Sequence, residues 1–147
     1  MKTITICSSV AFYRDVIKIK DELEKLGVHV IVPKTALRMQ KNNDYEVSHY
    51  KTWFADANDY HKKAELMMSH FEEIDKGGAI LVVNNEKHGV ANYIGGNVLM
   101  EMALAFFQKK PIFILHDIPH ESPFIEEILG VLPITLKGDL KSLVKQL

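Results

Sequence analysis

Cysteine is nearly absent: Cys7 is the only one among 147 residues. An intramolecular disulfide and a cysteine-based structural zinc site are therefore excluded, and a reducing compartment fits. Charge of one sign is not in excess either. Lys+Arg number 18 against 19 Asp+Glu, a formal net charge of -1, so no global positive field exists to condense onto a nucleic-acid polymer or an anionic membrane. Any anionic ligand has to be held locally. No apolar run approaches the roughly 18 residues that a membrane span needs, and the first residues lack a basic region followed by a long apolar stretch. A soluble, cytoplasmic protein is expected. Internal repeats and low-complexity segments are missing, as are the Walker A, GxGxxG and GxSxG patterns of P-loop, dinucleotide-binding and hydrolase-elbow proteins.

What is present is the composition of one ordinary globular domain, 47% hydrophobic and 25% charged, spanning 1–147. Lys2 to Cys7 alternates polar and apolar residues and is rich in β-branched ones, which predicts a strand. Phe12, Val16, Ile19, Leu23 and Leu26 recur at helical spacing before Gly27, and Val28–Val32 reads as a second strand closed by Pro33. Residues 34–56 are polar and irregular but carry Tyr45, Tyr50, Trp53 and Phe54. They read as an inserted loop, either a lid or an excursion whose aromatics pack on the side of the domain. Tyr60, Ala64, Met67, Met68, Phe71 and Ile74 predict another helix, ended by Gly77-Gly78. The continuous apolar run Ala79–Val83 predicts a central strand covered on both faces. A helix from Gly95-Gly96-Asn97 to about Phe107, a strand Pro111–Leu115, a helix near Ser122–Leu129, a short strand Leu132–Leu136 and a last helix from about Asp139 complete the chain.

The resulting order, βαβαβαβαβα, predicts a parallel sheet with right-handed crossovers and helices on both faces. The flavodoxin-like strand order 2-1-3-4-5 is the expected α/β solution. Ligands of such sheets bind beyond the carboxyl ends of the strands. The loops that matter are Cys7–Ala11, Asn84–Asn97 and His116–Glu121. Gly95-Gly96 lets backbone approach a ligand, Asn97 suits a helix N-cap, and the free amides of the first turn favour an anion such as a 5′-phosphate. Glu101 follows in a helix otherwise apolar on nearly all sides. It is either a functional carboxylate or one that complements the helix dipole at a surface edge.

A strand, a polar loop, Gly95-Gly96-Asn97, a helix with Glu101 in its first turn and then Ala103, and a strand led by Lys109-Lys110-Pro111 resemble the nucleoside 2-deoxyribosyltransferase-like superfamily. That superfamily includes the 2′-deoxynucleoside 5′-phosphate N-hydrolases. The resemblance implies N-glycosidic cleavage or transfer without a cofactor. Glu101 would be the nucleophile at C1′ of the sugar, since a carboxylate can capture an oxocarbenium-like carbon. Ser8 and Ser9 would stand where the family contacts substrate, although local turn bonding explains them as well. Family members usually place an Asp after the third strand and another before the glycine-rich turn; here Asn84 and Asn92 occupy those neighbourhoods. Amides can hydrogen-bond a base or sugar but cannot act as a general acid near neutral pH. Homo-oligomers are common among such enzymes, and Tyr50, Trp53, Met100, Phe106 and Phe107 are either interface or core.

Substitute acids in the sequence are His61 and Glu65, Asp56 and Asp59, and His88, for which a solvated surface is the simpler account. His116 and His120 have ligand-like spacing but flank Pro119 without a third ligand, so no metal is expected. Cys7 reads as a small buried hydrophobe or a reactive thiol. Two further function classes stay open: a non-catalytic module that binds or senses a nucleotide, and a TIR-like enzyme that cleaves NAD.

Overall fold

Alternating and continuous β-branched segments build the strands Thr3–Ser8 (β1), His29–Ile31 (β2), Ala79–Val83 (β3), Ile112–Ile114 (β4) and Ile134–Thr135 (β5). The computed structural model describes residues 2–147. The five strands form one sheet in the order β2-β1-β3-β4-β5. Every pairing is parallel, with Ile4 opposite Val30 and Ala79, and Ile80 opposite Ile112. This is the flavodoxin-like order expected from the sequence.

The helices are Tyr13–Lys25 (α1), Lys34–Asn42 (α2), Tyr60–Lys76 (α3), Gly96–Phe107 (α4), Ile125–Gly130 (α5) and Leu140–Gln146 (α6). Strand residues divide by the pleat between two cores. Ile4, Ile6, Leu81, Val83 and Phe113 pack with α1, α2 and α6, while Cys7, Ile80, Val82, Ile112 and Ile114 pack with α3, α4 and α5. Among the described residues no helix is long and apolar enough to cross a membrane.

The segment 34–56 is not an irregular loop throughout. It opens with α2, whose inner face is Thr35, Ala36 and Met39 and which stops at Asn43 in the left-handed conformation, φ 48°. Short 3₁₀ turns at Val47–His49, Thr52–Phe54 and Ala57–Asp59 lead from there to α3. Tyr50 and Trp53 are buried, whereas Phe54 stands in solvent.

Two contacts fix where α3 ends against the sheet. Thr5 donates its hydroxyl to the Glu73 carbonyl at 2.9 Å. A Cβ on Gly77 would meet that same hydroxyl oxygen at 2.5 Å, so this close approach requires glycine. Lys110 then donates to the Ile74 and Asp75 carbonyls, both at 2.7 Å, satisfying the carbonyl end of α3 from the residue two before β4.

Candidate active site

The reversal of strand order between β2-β1 and β3 opens a cavity of about 250 Å3 beyond the strand ends. Its walls come from the Ser8-Ser9 loop after β1, the start of α2, the turns around Tyr50 and Trp53, the inner face of α3, and the Gly95–Asn97 start of α4. Glu101 lies among the lining residues at 2% exposure.

The N-cap of α4 is Gly95, and the helix begins at Gly96, so Asn97 does not cap it. Glu101 consequently stands in the second turn, beyond the reach of the simple dipole role at a surface edge. Asn97 is used differently: its side-chain amide donates to Glu101 Oε1 at 2.8 Å, one turn along the same helix. The first amides of α4 remain without intrahelical partners and border the cavity. A Cβ on Gly96 would meet nothing within 4 Å, so this turn has room in front of it.

On the opposite wall, α3 supplies His70 and Glu73, each 8% exposed. His70 Nε2 lies 2.9 Å from Glu101 Oε2, and His70 Nδ1 lies 3.8 Å from Glu73 Oε2. Neither ring nitrogen is well aligned for a directed hydrogen bond, and both Glu73 oxygens lack a hydrogen-bond partner. The imidazole is therefore held mainly by charge between two buried carboxylates. Burial by itself pulls the pKa of His70 down, but the contacts with Glu101 and then Glu73 outweigh it and raise the group to about 9. At neutral pH the ring is an imidazolium, which is what permits two carboxylates to sit in so enclosed a place.

Cys7 and Tyr13 complete the surroundings. Burial, and next the negative charge of Glu101, push both the Cys7 thiol and the Tyr13 phenol well up. Cys7 is thus a protonated, fully buried thiol rather than a reactive one. Cys7, His70 and Glu101 could present one ligand atom each within 4.8 Å of one another, the one such grouping among the described residues. A protonated thiol beside an imidazolium is a poor donor set for a metal ion.

The candidates read from the sequence are partly brought together. Ser8, Ser9, Gly95, Gly96, Asn97 and Glu101 all line the cavity. The Ser8 hydroxyl donates to the Ser9 carbonyl at 3.0 Å, and Ser9 Oγ accepts from Lys87 Nζ at 3.0 Å. Asn84 and Asn92 do not belong to this group. Asn84 is fully buried and its amide ties two loops together: Nδ2 donates to the Asp117 carbonyl at 2.8 Å and Oδ1 accepts from the His116 amide at 3.0 Å. Asn92 adopts a left-handed turn, φ 56°, and with Asn84 borders a separate surface groove near α1. The proposed stand-in acids Asp56, Asp59, His61, Glu65 and His88 also lie away from the cavity lining. His116 contacts Asn85 Oδ1 through Nε2 at 2.9 Å.

His70 and Glu73 were the residues the sequence concealed. The apolar stripe read for α3 included Tyr60 and Met68, which are 50% and 59% exposed, whereas its buried positions are His70, Glu73 and Ile74. An i, i+3, i+4 triplet with two ionisable members in line with Leu66 and Met67 was the available signal.

Fold and site together define an α/β domain of flavodoxin-like order with a carboxylate–imidazolium–carboxylate cluster in its switch-point cavity. No family model and no curated protein matches the sequence. Among solved structures the chain is similar to FerB, a flavoenzyme NAD(P)H:(acceptor) oxidoreductase from Paracoccus denitrificans. The identity is 14%, the match covers 92% of this chain and 75% of that one, and the TM-score is 0.48.

Proposed function

We propose that the protein cleaves the N-glycosidic bond of a deoxynucleoside or nucleotide, with Glu101 as the nucleophile. The observation that carries this reading is the buried Glu101 carboxylate lining a small-molecule cavity, with Asn97 on one oxygen and His70 beside the other. Ser8, Ser9 and the amide-rich turn at Gly95, Gly96 and Asn97 supply the polar groups for a sugar or phosphate. The resemblance of the Gly95–Ala105 segment to the nucleoside 2-deoxyribosyltransferase-like superfamily supports the same chemistry.

In this mechanism a Glu101 oxygen attacks C1′, the C1′–N bond breaks, and its electron pair leaves on the base nitrogen, giving an ester between Glu101 and the sugar. The departing base takes a proton, and His70 carries one. Its hold on that proton depends first on Glu101 and then on Glu73. Esterification removes the charge of Glu101, so the imidazolium becomes a stronger acid at the step that needs it. Water or an acceptor base then attacks C1′, passes its proton to neutral His70, and releases the carboxylate. Asn84 and Asn92, standing outside the cavity, take no part.

The test is incubation of wild type and Glu101→Gln with a panel of deoxynucleosides and their monophosphates. Free base released by wild type and lost in the variant is expected; no turnover by either, or equal turnover by both, overturns the assignment. The same samples separate the other function classes. A nucleotide that raises the melting temperature and is recovered intact indicates a non-catalytic binding module, and nicotinamide released from NAD indicates a TIR-like activity. We also propose self-assembly across α4, where Phe106 and Phe107 are 50% and 84% exposed; a monomer in sedimentation analysis would refute it.

A further inference from the structure

Four lysines from four separate segments converge on the cavity: Lys34 at the start of α2, Lys51 before the Thr52–Phe54 turn, Lys63 on α3, and Lys87 in the loop after β3. In a chain whose formal net charge is -1, such a concentration is not a by-product of a basic composition. Among the described residues none of the four is in an ion pair with a carboxylate; the pairs that form involve other groups. The acids lining the cavity, Glu73 and Glu101, are occupied with His70.

Three of the four ammonium groups are nevertheless held in place. Lys87 donates to Ser9 Oγ at 3.0 Å and lies 4.8 Å from the centre of the Tyr93 ring. Lys63 stands 5.3 Å from the Trp53 ring and Lys51 5.9 Å from Phe54. Aromatic faces and a hydroxyl orient a cation without neutralising it, which leaves its charge available to a ligand. Burial lowers the pKa of Lys51, and the neighbouring charges of Lys87 and Lys63 lower it further. Lys51 is therefore repelled by both neighbours, an arrangement that an anion bound among them relieves.

The amide turn at Gly95-Gly96-Asn97, which lines the cavity, offers donors for a single phosphate. Three or four additional cations call for further negative charge in a compact form, which a polyphosphate chain supplies. We propose that the cavity takes a nucleotide bearing two or more phosphates, with the phosphate chain among Lys51, Lys63 and Lys87 and the sugar toward Glu101. This rests on the N-glycosidic reading for the position of the sugar, but the polyphosphate site stands on the lysines alone.

Trp53, the only tryptophan of the chain, lines the cavity beneath Lys63 and provides the readout. Its fluorescence is followed during titration with deoxynucleosides and their 5′-mono-, di- and triphosphates, and with inorganic tripolyphosphate. Glu101→Gln prevents turnover, and wild type is read within seconds of mixing as a check on the fold of the variant. Affinity is expected to rise about tenfold or more from monophosphate to triphosphate and to fall steeply with salt, with tripolyphosphate competing. Lys51→Gln/Lys63→Gln/Lys87→Gln should weaken the triphosphate by about tenfold or more, and the monophosphate by less. Equal affinity for mono- and triphosphate, or a triphosphate affinity indifferent to the three lysines, overturns the proposal. Preference for a single-stranded oligonucleotide over the free triphosphate overturns it as well, in favour of a polymer. Base released from nucleosides without phosphate preference sinks the polyphosphate site and leaves the glycosidic reading standing. Tight triphosphate binding without base release by wild type does the reverse.

Discussion

Glu101, His70 and Glu73 at the inner end of the cavity are each less than a tenth exposed, whereas at its rim Lys34 stands in solvent and Lys51, Lys63 and Lys87 are half-buried. The two regions hold charge by different means. Inside, an imidazolium is shared by two carboxylates that have almost no water, so every member of the cluster depends on the others. At the rim, cations rest on aromatic faces or a hydroxyl and keep much of their hydration. Removing a group inside should therefore damage both chemistry and fold, and removing one at the rim should change affinity with little effect on stability.

The largest effect expected is on chemistry. Glu101→Gln keeps the shape of the side chain and the Asn97 neighbourhood but removes the proposed nucleophile, and base release should fall by at least about 1,000-fold, roughly 4 kcal/mol of barrier. Discontinuous assays of free base check this.

His70→Asn comes next. It leaves two buried carboxylates without their cation and should cost about 3–5 kcal/mol in urea denaturation. The wild-type pH dependence sharpens the point. Because the folded-state pKa of His70 is raised to about 9, its contribution is fully present below the unfolded value of about 6.5 and is lost as pH rises through about 9. Wild type should lose stability across that interval, and His70→Asn should lack the corresponding decline.

Asn84→Ala tests the boundary of the inner region. The substitution leaves the Asp117 carbonyl and His116 amide without their side-chain partner, for a cost of about 1–3 kcal/mol. Base release by the folded protein should persist; its loss would place Asn84 in the chemistry. The smallest effect is beside the rim residue Lys51: Phe54→Ser, at a position 76% exposed, should change stability by less than about 0.5 kcal/mol. A larger value would mean that the rim, too, is a cooperative part of the fold.

The same contrast governs how much was legible in the sequence. The succession of strands and helices followed from periodicity because buried strands such as Ala79–Val83 announce themselves by an unbroken apolar run, and the sheet order was the common solution for that succession. Glu101 was legible as an isolated carboxylate in an apolar helix after two glycines. The helix Lys34–Asn42 was not, because it buries only Thr35, Ala36 and Met39, and its remaining residues are polar apart from Leu37, which faces solvent. Asn43, which takes the left-handed position that ends it, was its clearest mark. Asn97 has the chemistry of an N-cap, but the cap falls on Gly95 and frees the amide for Glu101. His70 and Glu73 were hidden for a physical reason: polar residues on an inward helical face look like solvent-facing ones until a partner from another element, here Glu101, is placed against them.

Helix α3 carries Lys63 at the rim and His70 farther in, on one continuous rod from Tyr60 to Lys76. At 1.5 Å of rise per residue these two positions lie about 10 Å apart along the axis. A rigid helix does not stretch, so with the anion site and reacting centre as proposed, the spacing between the two positions on α3 is set by the backbone. On the proposed reading α3 acts as a ruler, and molecules of similar chemistry but different reach would be sorted by length.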